Sequence, residues 1–271
     1  MKQLAVLGPK GTYASLAALK LEETYTICYY PTILSCFGAI NDDTDALIPF
    51  ENTLDGFVME ALDAIIRKPY YIVEEVKLPV GFHFVSFGKA LKDVESVYVQ
   101  HKTYGQCLQF ILKNHLKPII TQSNVESFNS LIASKNASYG AIIPNHLAIK
   151  DFPLVCLDVA DSRDNETRFV RLSLEHKLPK QNQEVVSMVI TPVEDKVGIL
   201  FSILEIFAQL KINLRTILSR PRRDIIGKYI FYLEIDLFKE NEELLYQAKQ
   251  FIQNKNCTVT ILGIYNHLEV K

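Results

Sequence analysis

The stretch Y-Y-I-V-E-E-V-K-L-P-V-G-F-H-F-V-S-F (70–87) decides the fold of this chain. Its apolar, aromatic and β-branched residues favour an extended strand, but the run is longer than one strand of a small sheet. Pro79-Val80-Gly81 interrupts it, and proline cannot donate to a strand ladder. We interpret the run as a strand that leaves one lobe and enters a second, with a return crossing near Ile149–Pro153. Two lobes joined by two crossings enclose a cleft, which is a common place for a small-molecule site.

Short apolar runs alternate with helix-like periodic stretches on both sides of this crossing. The alternation predicts an α/β fold with largely parallel sheets covered by helices. Lobe one is predicted to take residues 1–78 and 152–177, and lobe two residues 79–151. The predicted strands are Gln3–Leu7, Asp45–Ile48, Tyr71–Glu75, Ser96–Gln100, Ile119–Gln122 and Gly140–Ile143, and the predicted helices are Thr12–Leu21, Val58–Ile66, Gln106–Leu116 and Ser127–Ser134.

A second domain follows the polar, proline-containing stretch Lys177–Glu184, which we interpret as a linker. From residue 185 to residue 271 the pattern predicts a strand, a helix, two strands in a hairpin, a helix and a last strand. The hairpin is predicted to turn around Pro221–Asp224. This βαββαβ order is typical of ferredoxin-like α+β domains.

Composition limits the classes of function. The chain has 271 residues, 48% of them hydrophobic, and a formal net charge of -2. Because there is no long basic run, we expect neither nucleic acid nor an anionic membrane as a partner. No stretch approaches the ~20 apolar residues of a membrane span or suits a signal peptide, so we expect a cytoplasmic protein. The five cysteines lack a CxxC pair and the six histidines lack HxxxH or HExxH spacing, so we expect neither disulfides nor a metal.

The motif G-P-K-G-T-Y (8–13) lies at a turn between a predicted strand and a predicted helix. Free backbone N–H groups near Gly11 and Thr12 would favour an anion there, both by hydrogen bonding and through the helix dipole. An ordinary turn with Thr12 as the helix cap fits the same residues.

Glu51, Asn52 and Thr53 form a dense polar cluster at the C-terminal end of another predicted strand. Ligands of open α/β sheets bind at that end of the strands, so the three together favour a binding role. For each residue taken singly, a capped loop is an equal alternative.

Two further turns carry polar candidates. Ser123 and Glu126 have the spacing of a capping box, so a structural role is favoured, although Ser123 could also face the cleft. His101 and Gln106 follow another predicted strand. A lone histidine at such a turn is more often structural than catalytic.

The stretch N-E-T-R-F (165–169) leads into a strand. Strand alternation places Arg168 on an apolar face, and Thr167 and Phe169 on the opposite face. A buried guanidinium needs an acidic partner or an anionic ligand. On the residues alone, a salt bridge to Asp158 or Asp161 is slightly favoured over a ligand.

Together these motifs resemble the prephenate dehydratases that carry a C-terminal ACT domain, over nearly the whole chain. The absence of a chorismate mutase segment before Met1 is what the monofunctional form would show. The resemblance rests on GPKGTY (8–13), PFENTLDGFV (49–58), the stretch from His101 to Cys107, NETRF (165–169), GILF (198–201), INL (212–214) and SRP (219–221).

The resemblance implies an activity and an architecture. The activity is conversion of prephenate to phenylpyruvate with loss of water and carbon dioxide, in phenylalanine biosynthesis and without a cofactor. The architecture is a bilobed catalytic domain similar to type II periplasmic binding proteins, residues 1–177, with the active site in the cleft. An ACT regulatory domain, residues 185–271, would bind L-phenylalanine at ACT–ACT contacts and inhibit. A homodimer or homotetramer is expected.

The resemblance also implies roles for individual residues. Thr167 matches the family's essential threonine and would give a hydrogen bond or a proton to the leaving hydroxyl, with Glu51 as the rival acid. Asn52 and Gln106 would orient the substrate. The other substrate-binding candidates are Gly11, Thr12, Thr53, His101, Ser123, Arg168 and Phe169, and the phenylalanine-binding candidates are Gly198, Ile199, Leu200, Asn213, Leu214, Leu218 and Ser219.

The sequence departs from the family pattern at several positions. Gln100 stands where serine is usual before the histidine, and Ala14 also replaces a common serine. In the second domain Leu218 replaces a glutamate, so we expect phenylalanine to bind less tightly. Two alternative functions stay open on these residues: an arogenate dehydratase, whose substrate carries an amine in place of the keto group, and a non-catalytic amino-acid-sensing protein.

Overall fold

The computed structural model describes residues 1–176, 183–194, 196–222, 227–238 and 242–266. Its strands form three sheets. The strands are β1 (Lys2–Leu7), β2 (Tyr25–Tyr30), β3 (Thr44–Asn52), β4 (Gly56–Phe57), β5 (Tyr71–Pro79), β6 (Phe82–Ser86), β7 (Ser96–Gln100), β8 (Lys117–Thr121), β9 (Tyr139–Pro144), β10 (Leu154–Cys156), β11 (Glu166–Ser173), β12 (Gln183–Pro192), β13 (Leu214–Pro221), β14 (Tyr229–Phe238) and β15 (Cys257–Tyr265). The helices are α1 (Tyr13–Leu19), α2 (Ile33–Gly38), α3 (Met59–Arg67), α4 (His101–Gln106), α5 (Leu108–Lys113), α6 (Asn124–Ser134), α7 (Ile199–Gln209) and α8 (Glu242–Asn254), with one 3-10 turn at Leu91–Asp93.

The first sheet has the strand order β2-β1-β3-β11-β5, with the short β4 paired to β3. One face is covered by α1, whose alanines pack with Leu4, Val6 and Phe169. The other face packs against α2 and α3 through a separate apolar cluster. Because β11 lies between β3 and β5, the residues at its start are held on both sides by strand ladders.

The second sheet has the order β10-β6-β9-β7-β8 and forms lobe two. The outward crossing lies at Pro79-Val80-Gly81, between β5 and β6, as predicted. The predicted return near Ile149–Pro153 is wrong, because β10 pairs antiparallel with β6 and therefore still belongs to lobe two. The chain returns between Cys156 and Glu166. The apolar residues Leu154–Cys156 form an edge strand of the second sheet, and the polar run 161–166 follows them. The predicted start of the second segment of lobe one at residue 152 is therefore also wrong.

The expectation of largely parallel sheets is only partly confirmed. In the two sheets, β1 runs parallel to β2 and β3, and β7 runs parallel to β8 and β9. The strands that carry the chain between the lobes pair antiparallel: β11 with β3 and β5, and β6 with β9 and β10. A strand that returns from the other lobe re-enters its sheet in the reverse direction, and the alternation of strands and helices along the sequence does not reveal this.

The third sheet has the order β13-β14-β12-β15. With α7 and α8 this gives the predicted βαββαβ order of a ferredoxin-like domain, and both helices pack on one face of the sheet. Most of the predicted linker at 177–184 and part of the predicted hairpin turn at 221–224 lie outside the described residues.

The free face of the third sheet packs onto the first sheet and its helices. One apolar cluster joins Phe50 and Ile72 to Tyr232, Leu262 and other residues of the third sheet. Gly263 lies so close to the backbone of Ile72 that a Cβ atom there would collide with its carbonyl group. The two domains therefore share one buried interface.

Candidate active site

Thr167 and Asn52 form the centre of the site. They are directly opposite each other in the ladder between β11 and β3. Asn52 Nδ2 donates to Thr167 Oγ1 at 3.0 Å, to Asn165 Oδ1 at 2.7 Å and to Glu166 O at 3.0 Å. Among the described residues, the Thr167 hydroxyl accepts this bond and donates to no partner. Its hydrogen is therefore available to a ligand.

The loop after β3 is held by its own polar groups. Asn52 Oδ1 accepts from the backbone N–H groups of Leu54 and Asp55, at 3.0 and 3.1 Å. Thr53 N donates to Glu166 O at 2.9 Å, and Glu166 N donates to Thr53 Oγ1 at 3.1 Å. The backbone N–H of Thr53 is thus already committed. Thr53, a predicted substrate-binding residue, therefore uses its N–H and hydroxyl to fasten the start of β11.

Gln106 connects this centre to lobe two. Its Oε1 accepts from Asn165 Nδ2 at 3.2 Å, and its Nε2 donates to Asp55 Oδ2 at 3.2 Å. Lys102 Nζ lies 3.7 Å from the same Asp55 oxygen. The cleft is therefore bridged at this point by side chains from both lobes, and Asn165 links Gln106 to Asn52. Sequence reasoning missed Asn165 and Asp55, although both lie inside the motifs NETRF and PFENTLDGFV.

The GPKGTY turn contacts lobe two as well. Thr12 caps α1, accepting from Ser15 N at 3.3 Å and donating to Pro9 O at 3.1 Å, so its hydroxyl is committed to the turn. Gly11 adopts a positive φ of 93°, which favours glycine, and its carbonyl lies 2.9 Å from His146 Nε2. The capping interpretation of Thr12 is confirmed. Sequence reasoning missed His146.

Tyr13 contacts the outward crossing. Its hydroxyl donates to the carbonyl of Gly81 and accepts from the N–H of the same residue. Burial raises the pKa of Tyr13 to about 12, so the hydroxyl keeps its proton at physiological pH. The ring packs edge-on against His146, with 5.0 Å between centroids. Tyr13 thus connects α1 of lobe one to the outward crossing and to lobe two.

Two other predicted site residues lie at helix starts in lobe two. His101 is the first residue of α4 and is exposed. Ser123 caps α6, accepting from Glu126 N at 3.1 Å, while the Glu126 carboxylate accepts from Gln122 N. Gln100, which stands where the family usually has serine, has a structural role. Its side chain accepts a hydrogen bond from Lys102 N and so caps α4.

Arg168 points away from the cleft. Its guanidinium meets Glu234 on β14 in a bidentate pair, at 2.9 and 3.0 Å. Glu75 and Glu51 lie 3.4 and 3.2 Å from it, and the Arg168 side chain is only 6% exposed. The salt bridge favoured on the residues alone is confirmed, but Asp158 and Asp161 are the wrong partners. The guanidinium therefore meets its acidic partners on the reverse face of the first sheet, and substrate binding by Arg168 stays a prediction.

Glu51 belongs to the same face as Arg168. The two residues are opposite each other in the ladder, as Asn52 and Thr167 are on the other face. Burial raises the pKa of the Glu51 carboxyl above its usual range, more than Arg168 lowers it. The carboxyl lines a cavity of about 340 Å³, and the other lining residues are Asn52, Thr53, Gly56, Lys77, Glu166, Arg168 and Arg215. Thr167 and Glu51 are therefore separated by the strand pair, which argues against Glu51 as the acid.

Phe169 is 1% exposed and packs under α1 in the core of lobe one. It does not line the cleft, so its prediction as a substrate-binding residue is wrong. Thr167 and Phe169 lie on the same face of β11, and this face passes from the cleft at Thr167 to the core under α1 at Phe169.

The predicted phenylalanine site divides into separate parts within one chain. Gly198 begins α7 with a positive φ of 83°, and Ile199 and Leu200 follow it. Asn213 and Leu214 lie beyond the other end of this helix, about 16 Å away for its length. Leu218 packs on the face of the third sheet that meets the first sheet. Ser219 is exposed on the edge strand β13.

The described residues contain no group of three or more His, Cys, Asp or Glu side chains that could hold a metal ion. None of the described helices is both long and apolar enough to cross a membrane.

Comparison with known proteins identifies the family of both domains. The family model for prephenate dehydratase matches residues 4–177, and the ACT domain model matches residues 187–250. A prephenate dehydratase of Methanocaldococcus jannaschii is 29% identical over 267 residues, which cover 95% of each chain.

Solved structures show the same fold over the whole chain. The prephenate dehydratase of Staphylococcus aureus has a TM-score of 0.85 and 25% identity, covering 97% of this chain and 100% of that one. A prephenate dehydratase of Arthrobacter aurescens, in complex with L-Phe, has a TM-score of 0.82 and 24% identity, covering 97% and 89%. With a family model spanning more than half of its length, this chain belongs to the prephenate dehydratase family and carries an ACT domain after the catalytic part.

Proposed function

We propose that this chain converts prephenate to phenylpyruvate, and that Thr167 assists departure of the ring hydroxyl. The observation that carries the proposal is the direction in which the Thr167 hydroxyl makes its hydrogen bond. Its oxygen accepts from Asn52 and its hydrogen has no acceptor among the described residues. A ligand oxygen in the cleft can therefore receive that hydrogen.

The reaction breaks two bonds of the substrate. The bond from the ring to the carboxylate breaks and leaves its electron pair in the ring, which becomes aromatic. The bond from the ring to the hydroxyl breaks with its electron pair on oxygen, and one proton converts hydroxide to water. Carbon dioxide and water leave, and phenylpyruvate remains. A positioned donor at the leaving oxygen typically contributes ~10²–10⁴-fold.

A threonine hydroxyl is a poor acid, so its contribution must come from placement. Asn52, Asn165 and Gln106 supply that placement, because they form one hydrogen-bonded chain from lobe one to lobe two. Closure of the lobes over the substrate would exclude water and fix the reacting groups. Lys102, at the rim of this chain beside Asp55, offers a positive charge for a substrate carboxylate.

We infer that the ACT domain binds L-phenylalanine between two copies of the chain and inhibits. Val197 and Phe201 flank the start of α7 and are 108% and 69% exposed. Apolar side chains this open next to Gly198 would be covered by a second ACT domain. Such a contact would produce a homodimer or homotetramer, and would join the parts of the phenylalanine site that one chain keeps apart.

One assay tests the proposal. The purified protein is incubated with prephenate and, separately, with arogenate, with and without added phenylalanine. We expect phenylpyruvate from prephenate at the higher kcat/KM, and a lower rate with phenylalanine. Faster formation of phenylalanine from arogenate would assign the chain to arogenate dehydration instead, and no turnover of either substrate would overturn the proposal.

A further inference from the structure

Thr167 and Arg168 are consecutive on β11 and face opposite sides of the first sheet. On the cleft side, Thr167 meets Asn52. On the reverse side, Arg168 meets Glu51 and, beyond it, Glu234 of the ACT domain. The same two backbone segments therefore carry the reacting pair and a contact with the regulatory domain.

The carboxylate of Glu234 is fixed in place by hydrogen bonds. The residue is fully buried, and its Oε1 receives hydrogen bonds from the hydroxyls of Tyr232 at 2.7 Å, Tyr265 at 2.9 Å and Ser187 at 3.1 Å. All these donors belong to the ACT sheet. Because they fix the carboxylate from its own side, the position of the Arg168 guanidinium is set by the ACT domain.

The catalytic domain leaves the guanidinium little freedom of its own. The Arg168 guanidinium lies over the rings of Phe50 and Phe57, at 5.0 and 5.7 Å from their centroids. Phe50 is fully buried. It has no partner in the ladder between β3 and β11, because the register of the two strands shifts between Arg168 and Phe169. A shift of the guanidinium would press on Phe50 and so on β3, two residues before Asn52.

We propose that Glu234 is a positioning residue for catalysis, which acts through Arg168 to hold Thr167 and Asn52 at their working distance. The ACT domain thereby completes the active site, in addition to any role in binding an effector. This proposal rests on the proposed reaction, because kcat for prephenate is its readout.

A second ion pair between the domains provides a matched control. Arg220 on β13 binds both carboxylate oxygens of Asp63 on α3 at 2.9 Å. Like Arg168 and Glu234, this pair is bidentate and joins the ACT sheet to the catalytic domain. Asp63 lies on a helix, away from the strands that carry Thr167 and Asn52. Glu234→Gln and Asp63→Asn each replace a carboxylate by its amide across the interface.

The experiment compares the full-length variants at a temperature well below the melting temperature of each. We expect Glu234→Gln to lower kcat by ~10- to 10²-fold, the scale of a misplacement near 1 Å, with KM changed less than about twofold. We expect Asp63→Asn to leave kcat at the wild-type value. Unchanged kcat in Glu234→Gln, or an equal fall in Asp63→Asn, would overturn the proposal.

A double-mutant cycle tests whether the effect passes through Arg168. If it does, kcat of Arg168→Lys combined with Glu234→Gln should match that of the poorer single variant, whereas two independent roles would give multiplied losses. If Glu234→Gln does not fold, Tyr232→Phe removes one donor to Glu234 while keeping the ring, and a smaller fall in kcat in the same direction is expected; wild-type kcat there would contradict the proposal. Wild-type protein that does not turn over prephenate would refute the proposed function itself, before any variant is compared.

Discussion

Asn52 Nδ2 lies 3.0 Å from Thr167 Oγ1, and this contact sets the direction of the threonine hydroxyl. An amide N–H can only donate, so the threonine oxygen must accept and its hydrogen must point elsewhere. A hydroxyl that is free to rotate would lose part of its effect, since it would spend time pointing away from the leaving group. Asn52 therefore prepares Thr167 before the substrate arrives.

Replacing Thr167 by alanine removes the donor. We expect kcat to fall by ~10²–10⁴-fold with a small change in KM, because the hydrogen bond acts on the leaving group. Thr167→Ser keeps the hydroxyl and should retain much more activity. Steady-state kinetics with prephenate measures both; a loss confined to KM in Thr167→Ala would assign the residue to binding.

Replacing Asn52 by aspartate turns the donor of the key bond into an acceptor. The Thr167 hydroxyl would then donate to the new carboxylate, and its hydrogen would be withheld from the substrate. The Asp oxygen can still accept from Leu54 N and Asp55 N, so the loop should persist. We expect Asn52→Asp to lose most of kcat while its melting temperature stays above that of Asn52→Ala. Full activity in Asn52→Asp would show that the hydroxyl is oriented by another group.

The contact between Gln106 and Asp55 joins the two lobes, and a negative charge introduced at position 106 should separate them. Gln106→Glu would place two carboxylates within about 3 Å of each other, and the repulsion should raise KM more than it lowers kcat. Adding Asp55→Asn removes the repulsion and restores a donor, so the double variant should recover a KM near that of the wild type. Small-angle scattering should show the lobes further apart only in the single variant. A KM that the second substitution leaves high would contradict this role.

Glu51 faces Arg168 rather than Thr167, which predicts a modest effect on the chemical step. We expect Glu51→Gln to lower kcat by much less than ~10²–10⁴-fold, which is the loss expected when a general acid is removed. The pH profile of kcat should also keep its shape, because the carboxyl of Glu51, whose pKa burial raises, is not the proton donor in this mechanism. A loss as large as that of Thr167→Ala would return Glu51 to the role of proton donor.

Glu234 should make stability depend on acidity. Burial alone would raise the pKa of its carboxyl, but the ion pair with Arg168 and the tyrosine hydroxyls outweigh burial and lower it from 4.5. Since the folded-state pKa lies below that of the unfolded chain, the stabilisation is complete above pH 4.5 and is lost as the pH falls toward the folded-state pKa.

Glu234→Gln should therefore be less stable than the wild type near neutral pH, by up to ~3–5 kcal/mol for a broken buried pair. The difference should shrink as the pH is lowered through 4.5. Urea unfolding at several pH values measures it. A difference that stays constant from neutral to acidic pH would show that the carboxylate is not the stabilising form.

Local patterns in the sequence were sufficient for much of the fold. Apolar periodicity found most of the strands and helices, and the proline at position 79 located the outward crossing. The three-residue strand β10 escaped, because Leu154–Cys156 is too short to show a period. The start of α4 at His101 also escaped, since the cap is the side chain of Gln100, a residue type that rarely marks a helix start.

The site was harder to predict for a physical reason. Strand alternation correctly placed Thr167 and Arg168 on opposite faces, and chemistry correctly demanded a partner for the guanidinium. The partner is the carboxylate of Glu234, which lies 66 positions away in another domain, so local sequence patterns do not reveal it. Likewise, the N–H of Thr53 and the hydroxyl of Thr12 look available in the sequence, and only the folded turns show that both are already bonded.

The apolar cluster that Phe50 and Ile72 share with Tyr232 and Leu262 bears on how such a protein could change its regulator. A chain cut between the two domains would turn interior surface into exterior surface on both halves. Exchange of the ACT domain for that of a relative would require the reverse side of the catalytic sheet to be exchanged with it. In this chain the regulatory part is not a detachable module, and the two domains can be expected to have diversified as one unit.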